Sequence, residues 1–455
     1  MSQSLQTTKK ERLSFSFYFL GQGFIYTICA QHLMFFYTEY AFIPPLVISI
    51  VLFFEKVWDG INDVLFGIIM EKVKFKSGHK FLPWIKMSTI LLPISTIALF
   101  SIQPGIPLFW RVVLVIVTYA IWAMAYTICD APAYALSTAV TSDVKERGLV
   151  MTFSSVGGTV AAGLATIVLV PFYTNYGFFT TAIVISVIAF MAMSMLSSFA
   201  KERYHFDHKG ENKSSLKEIW LYLKQNRYLQ IFYLYRLITG SIALQTLNYV
   251  AKYCFGNLNY VVYIAASSII PIIILYSLSQ KLLKRFDKIQ LLRVSVMISM
   301  GLYTLNLFLG YGQSLIYICL LAGVAVMAII PSILFGTMPS DCIEYMTFKK
   351  GIRKEGITFS LQSCIAKTCS AFAGVLTGVV LSIVGYEGGA AVLSQAATHN
   401  LWIFSCIVPI VGLGIGLYVL KFYHLKDSDV QLMANANAGL ITKEEATAQL
   451  SREYD

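Results

Sequence analysis

Charge is scarce in this chain. Of 455 residues, 13% are Asp, Glu, Lys or Arg and 57% are hydrophobic; the mean hydropathy is +0.67. Soluble domains are about a quarter charged, so an ordinary water-soluble protein is excluded. The eight cysteines lack metal-ligand spacing; Cys29, Cys129, Cys319 and Cys406 lie inside apolar runs, as small packing residues do. Neither a disulfide nor a metal centre is expected, and no cofactor. No Ser–His constellation is recognisable. Asp59 and Asp63 share one apolar run, whereas an intramembrane acid protease needs carboxylates facing each other from two helices, so an enzyme is not expected. The polar N-terminus has no small-residue cleavage site before the second apolar run, so no cleavable signal peptide is expected. A soluble output domain, which a membrane sugar sensor would need, is not visible either.

Long apolar runs dominate instead. Each is about 20 residues or more, enough to cross a bilayer. They lie near 14–38, 44–70, 82–102, 107–135, 148–172, 177–199, 229–250, 259–280, 291–310, 313–338, 357–386 and 399–423. Twelve spans predict an all-α integral membrane protein. The net charge of +11 does not point to nucleic acid, because Lys and Arg crowd into alternate connections. They occupy the N-terminal tail (Lys9, Lys10, Arg12) and the second-to-third loop (Lys72, Lys74, Lys76, Lys80). They recur after the fourth span (Lys145, Arg147), in the central loop, after the eighth (Lys281, Lys284, Arg285, Lys288) and after the tenth (Lys349, Lys350, Arg353, Lys354). Arg111 and Lys252 are the exceptions. This is the positive-inside pattern, and it puts both termini in the cytoplasm of a multi-pass cell-membrane protein. The charged stretch 201–228 divides the chain into a half at 1–200 and a half at 229–424, with a polar tail at 425–455 expected as a surface helix or disorder. A basic loop after the second span of each half suggests an internal duplication, a common transporter plan.

The second span carries charge where charge is costly: "VLFFEKVWDGINDVLFG" (51–67). On a helix of 3.6 residues per turn, Glu55, Asp59 and Asp63 form one stripe with Asn62 in the same arc. Each mid-membrane charge costs about 2.5–3.5 kcal/mol on insertion scales, and such carboxylates mark ion or proton paths. Lys56, Arg236 and Lys367 are available as ion-pair partners, which would make the stripe a structural network. The carboxylates at 55, 59, 63 and 130 nevertheless outnumber those three cations. A bound Na⁺ or a proton fills that deficit, and hard cations take oxygen ligands of this kind. In the fourth span, "AYTICDAPAY" (125–134), Thr127 offers a further oxygen, Asp130 precedes Pro132, and Tyr126 and Tyr134 flank it. A carboxylate beside aromatic rings suits a polyhydroxylated sugar. "SSVGGTVAAG" (154–163) offers a small-residue face for close helix packing.

Several motifs resemble one family. "WDGIND" (58–63), "HKFLPW" (79–84), "CDAPAY" (129–134), "DCIEYMTFKKGIRKEG" (341–356) and "ITFSLQSCIAK" (357–367) occur in the order and at the spacing of the glycoside–pentoside–hexuronide:cation symporters, the melibiose permease family of the major facilitator fold. The resemblance implies two six-helix halves and cation-coupled sugar transport. It assigns Asp59, Asn62, Asp63 and Thr127 to the cation, and Asp130, Tyr134 and Gln22 to the sugar. It gives Lys367 a substrate-binding and coupling role and places Asp341, Glu344 and Arg353 in an inner gate network. The departures fall in the sugar half. Gln22 and Gly23 stand where helix I usually has Asp or Asn, Ser154 where helix V usually has Arg, and Val64 where Pro is common after the second aspartate. The expectation is a transporter that imports a sugar or glycoside by symport with Na⁺ or H⁺, as a monomer in the lipid bilayer, without nucleic acid. Alternatives are a cation-linked transporter of a non-sugar solute such as a lysolipid, and a non-transporting sugar sensor. His32 is a further possible donor or a satisfied core histidine.

Overall fold

The computed structural model describes residues 6–141, 143–203 and 216–454; residues 204–215 of the charged central loop lie outside this range. Among the described residues all regular structure is helical. The first six helices are α1 (Lys9–Glu39), α2 (Pro45–Lys72), α3 (Leu82–Leu99), α4 (Leu108–Val140), α5 (Val144–Tyr176) and α6 (Phe178–Phe199). Then follow α7 (Leu216–Gln225), α8 (Arg227–Ser241), α9 (Leu247–Tyr253), α10 (Asn259–Arg285), α11 (Lys288–Leu309) and α12 (Ser314–Met327). The chain continues through α13 (Ile329–Lys350), α14 (Glu355–Ile383), α15 (Gln395–Leu420), α16 (Asp427–Asn437) and α17 (Lys443–Gln449).

Ten of the described helical segments are long and apolar enough to cross a membrane, α12 and α13 counting as one. The expected second span is α2, whose charges keep it below that apolarity. The expected seventh span is divided: α8 ends at Ser241 and α9 begins at Leu247. Local chemistry explains several boundaries. Thr8 and Glu11 form a capping box at the start of α1. Pro45 occupies the first turn of α2, where its missing N–H costs nothing. Gly351 ends α13 in the left-handed region at φ 68°. α4 runs through Pro132 unbroken, and Tyr18 Oη donates to the Cys129 carbonyl beside it at 2.9 Å.

The chain forms two compact units. The first comprises Met1–Lys209, Leu247–Ala265 and Thr377–Thr398. In it α1 packs along α5 and α6, and α2 and α3 along α4. The small-residue face of α5 meets α1: a side chain at Gly157 would overlap the Ser16 backbone, and one at Gly23 would meet Ala161. The second unit comprises Gly210–Thr246, Ala266–Leu376 and His399–Asp455. Its core gathers Tyr228, Phe232, Leu334, Met338, Tyr345 and Tyr423. The tail belongs to this core. α16 docks there through Val430 and Met433, α17 through Ala446 and the segment after it through Tyr454, and Asp429 is buried. The expected surface helix or disorder is thus replaced by a folded two-helix cap.

Candidate cation and sugar site

The site lies in the first unit, where α2 packs against α4. Asn62 and Thr127 are both buried at this contact. Asn62 Nδ2 donates to Thr127 Oγ1 at 2.8 Å, and Thr127 Oγ1 donates to Asp63 Oδ1 at 2.9 Å. Three of the four residues expected to bind the cation therefore form one hydrogen-bonded chain across two helices. Asp63 is exposed on the surface of α2. Its carboxylate, the Asn62 carbonyl oxygen and the Thr127 hydroxyl are oxygen groups of the kind hard cations take.

The fourth residue, Asp59, is engaged differently. Lys56 Nζ lies 3.1 Å from Asp59 Oδ2 and 5.4 Å from the centroid of the Tyr119 ring on α4. Lys56 thus compensates Asp59 rather than its neighbour Glu55. Glu55 is 5% exposed, and its Oε2 has no hydrogen-bond partner among the described residues. The stripe is partly neutralised from within.

One turn along α4 from Thr127, Asp130 lines a cavity of about 180 Å³ together with Phe19, Gln22, Tyr26, Tyr126 and Tyr134. Gln22 Nε2 donates to Asp130 Oδ1 at 2.8 Å, so the helix I residue expected to touch sugar is paired with the helix IV carboxylate. Three tyrosines and one carboxylate thus line one cavity. Tyr26 is a wall residue that sequence reasoning missed; its spacing of four from Gln22 was the available signal. Ser154 does not line this cavity. It is buried and spends its hydroxyl on the Val150 carbonyl at 3.1 Å. His32 is buried against Tyr173 and Asn248, with 3.4 and 3.2 Å to its Nδ1.

The remaining expected residues lie in the second unit. Lys367 is half-buried on α14. Asp341 receives both its hydrogen bonds from Lys288 Nζ, at 2.8 and 2.7 Å. Glu344 pairs with Arg353 at 2.8 Å and accepts from Asn437 Nδ2 of the tail at 2.8 Å. Lys288 and Asn437 are partners that sequence reasoning did not assign to this network.

The family to which these features point is matched directly. A sequence model of the family described as MFS/sugar transport protein aligns with residues 14–427. The chain belongs to that family. Among its relatives, the uncharacterized symporter YjmB of Bacillus subtilis is 25% identical over 444 residues, 93% of this chain and 95% of its own. The isoprimeverose transporter of Lactiplantibacillus pentosus is 23% identical, over 93% of this chain and 90% of its own. Among solved structures, a point mutant of the nucleoside transporter NupG superposes with a TM-score of 0.63 at 12% identity, covering 90% of this chain and 99% of NupG. A bacterial homologue of the lysosomal transporter Spinster gives 0.58 at 12% identity, covering 91% and 95%. These likenesses show the fold. The protein is an all-α, multi-span membrane transporter of the major facilitator type and not an enzyme.

Proposed function

We propose that this family member imports a sugar or glycoside by symport with Na⁺ or H⁺. The observation that carries the reading is the single helical turn of α4 between Thr127, which holds Asp63, and Asp130, which lines the tyrosine-walled cavity. Cation arrival at Asp63, Asn62 and Thr127 neutralises the exposed carboxylate and redirects the Thr127 hydroxyl. That change reaches the Asp130 face through a rigid helix. Asp59 joins the cation once Lys56 lets go of it, and Lys367 senses the exchange. Tyr134 and Gln22 shape the sugar face, while Asp341, Glu344 and Arg353 work the inner gate. The small size of the cavity, with a carboxylate and an amide in its wall, favours a sugar over a lysolipid. The loop charge supports a reading with both termini on the cytoplasmic side of the cell membrane, and with one chain sufficing for the cycle.

One charge moving through 100 mV releases about 2.3 kcal/mol, which at ~1.4 kcal/mol per decade sustains roughly 50-fold accumulation. The test is uptake of labelled glycosides, pentosides and hexuronides into vesicles with and without a Na⁺ or proton gradient. Asp63→Asn is expected to abolish gradient-driven accumulation while sugar still binds. Accumulation by this variant at the wild-type level refutes the coupling role.

A further inference from the structure

The two basic residues that break the alternate-loop pattern, Arg111 and Lys252, land on one corner of the first unit. Arg111 Nη1 donates to the carbonyls of Ala41 and, at 3.1 Å, Phe42. Lys252 is ion-paired with Glu39. Glu39 ends α1 and is 4% exposed. Its Oε1 also accepts from the Tyr253 and Tyr386 hydroxyls, at 2.7 and 2.6 Å. One residue earlier, Thr38 Oγ1 lies 2.7 Å from Tyr249 Oη. The backbones meet closely as well. A side chain at Gly388 would overlap the Thr38 carbonyl, one at Gly378 would overlap Ser49, and one at Gly389 would overlap the Phe42 ring. Phe42 itself sits in the left-handed region at φ 49°, a strained position for a bulky residue.

Glu39 and Thr38 come from the first half of the sequence. Tyr249, Lys252 and Tyr253 lie on α9, Gly378 lies in α14, and Tyr386, Gly388 and Gly389 follow α14, so these come from the second half. The corner lies at the ends of α1 and α2 remote from the basic loops. We propose that Glu39, Lys252, Tyr253 and Tyr386 form an outer latch: closed as seen here, and undone in each cycle when the end of α1 parts from α9 and from the segment after α14. This rests on the transport reading above. A carboxylate held by an ammonium and two phenols suits a reversible closure. All four groups are partnered when shut, and all four regain water when open, so the desolvation cost of the pair is returned on opening. The cationic exceptions to loop charge are then accounted for, since Lys252 closes the latch and Arg111 fixes the strand that carries it.

The test reads access from outside, without sugar or coupling ion. Cys29 is buried on α1, roughly 15 Å inward of Glu39 at 1.5 Å per residue. In the full chain with the other cysteines replaced by serine, opening of the outer end is read as the rate at which a membrane-impermeant maleimide, applied to right-side-out vesicles, labels Cys29. Glu39→Gln and Lys252→Met are each expected to raise the labelling rate about tenfold, one decade of opening equilibrium. Tyr386→Phe, which removes only a hydroxyl, is expected to raise it about fivefold, the lower end of such couplings. The exchange Glu39→Lys with Lys252→Glu is expected to return the rate toward wild type. Wild-type labelling rates in Tyr386→Phe and in the single charge variants overturn the latch, as does a charge exchange that labels no more slowly than either single variant. Because no transport is measured, the latch stands or falls separately from the identity of the sugar and cation.

Discussion

Lys56→Met is the sharpest probe of the charged stripe, because its expected effect is a gain. In the wild type Lys56 Nζ sits 3.1 Å from Asp59, with the two side chains 26% and 17% exposed. At that separation the gross attraction is ~5 kcal/mol for an effective dielectric of 20. Partial exposure and the return of water to both groups reduce the net value to ~1–3 kcal/mol, a 5- to 150-fold coupling. Methionine fills the same volume against Tyr119 but leaves Asp59 uncompensated. The coupling cation then gains a carboxylate that Lys56 had occupied. The half-saturating cation concentration for sugar uptake is expected to fall by that factor, and the melting temperature of the purified protein should become dependent on NaCl relative to choline chloride. If neither the half-saturation nor the melting curve responds, Lys56 does not hold Asp59 in reserve and the stripe is a fixed structural pair.

Thr127→Val keeps shape and removes the hydroxyl between Asn62 and Asp63. Loss of a hydrogen bond to a charged group, ~1.5–3 kcal/mol, is expected to weaken cation binding about 10- to 150-fold, read from cation titrations of uptake. At the tail, burial alone raises the Asp429 carboxyl, but hydrogen bonds from Ser451 and Tyr454 outweigh it and hold it below the usual carboxylate range. With the folded pKa depressed, its stabilisation is complete at neutral pH and is lost as the pH falls below about 3.9 toward the folded value. Hydrogen-exchange protection of α16 and α17 is expected to drop in acid. Asp429→Asn should lower that protection at pH 7 and remove this component of the acid response.

Hydropathy made the spans legible because bilayer thickness imposes a minimum length, and α2 at Pro45–Lys72 falls within two residues of the run read at 44–70. The break between α8 and α9 was not legible. No proline marks it, and what repositions α9 is tertiary: Asn248 donates to the Gln31 carbonyl at 3.1 Å and Tyr249 meets Thr38. The stripe of Asp59, Asn62 and Asp63 was legible from helical spacing, and its link to Thr127 from chemistry. The choice of Lys56 for Asp59 over Glu55 also follows from spacing, since residues three apart share a helix face and adjacent ones do not, and the Tyr119 ring of α4 lies beside the pair. The tail was read as polar because its apolar residues are few. Yet Val430 and Met433 stand three apart, and Thr442 with Glu445 forms a capping box, so the signal for two short docked helices was present.

The docked tail also bears on how the protein can be handled. Tyr454 is buried among Tyr228 and Tyr345, and its carbonyl accepts from Lys349. A purification tag or fluorescent reporter placed within a residue or two of Tyr454 would abut a side chain that is packed in the interior. Such fusions would strain the cap that also supplies Asn437 to Glu344, so reporters placed at the N-terminus or behind a flexible spacer would report on a less altered transporter.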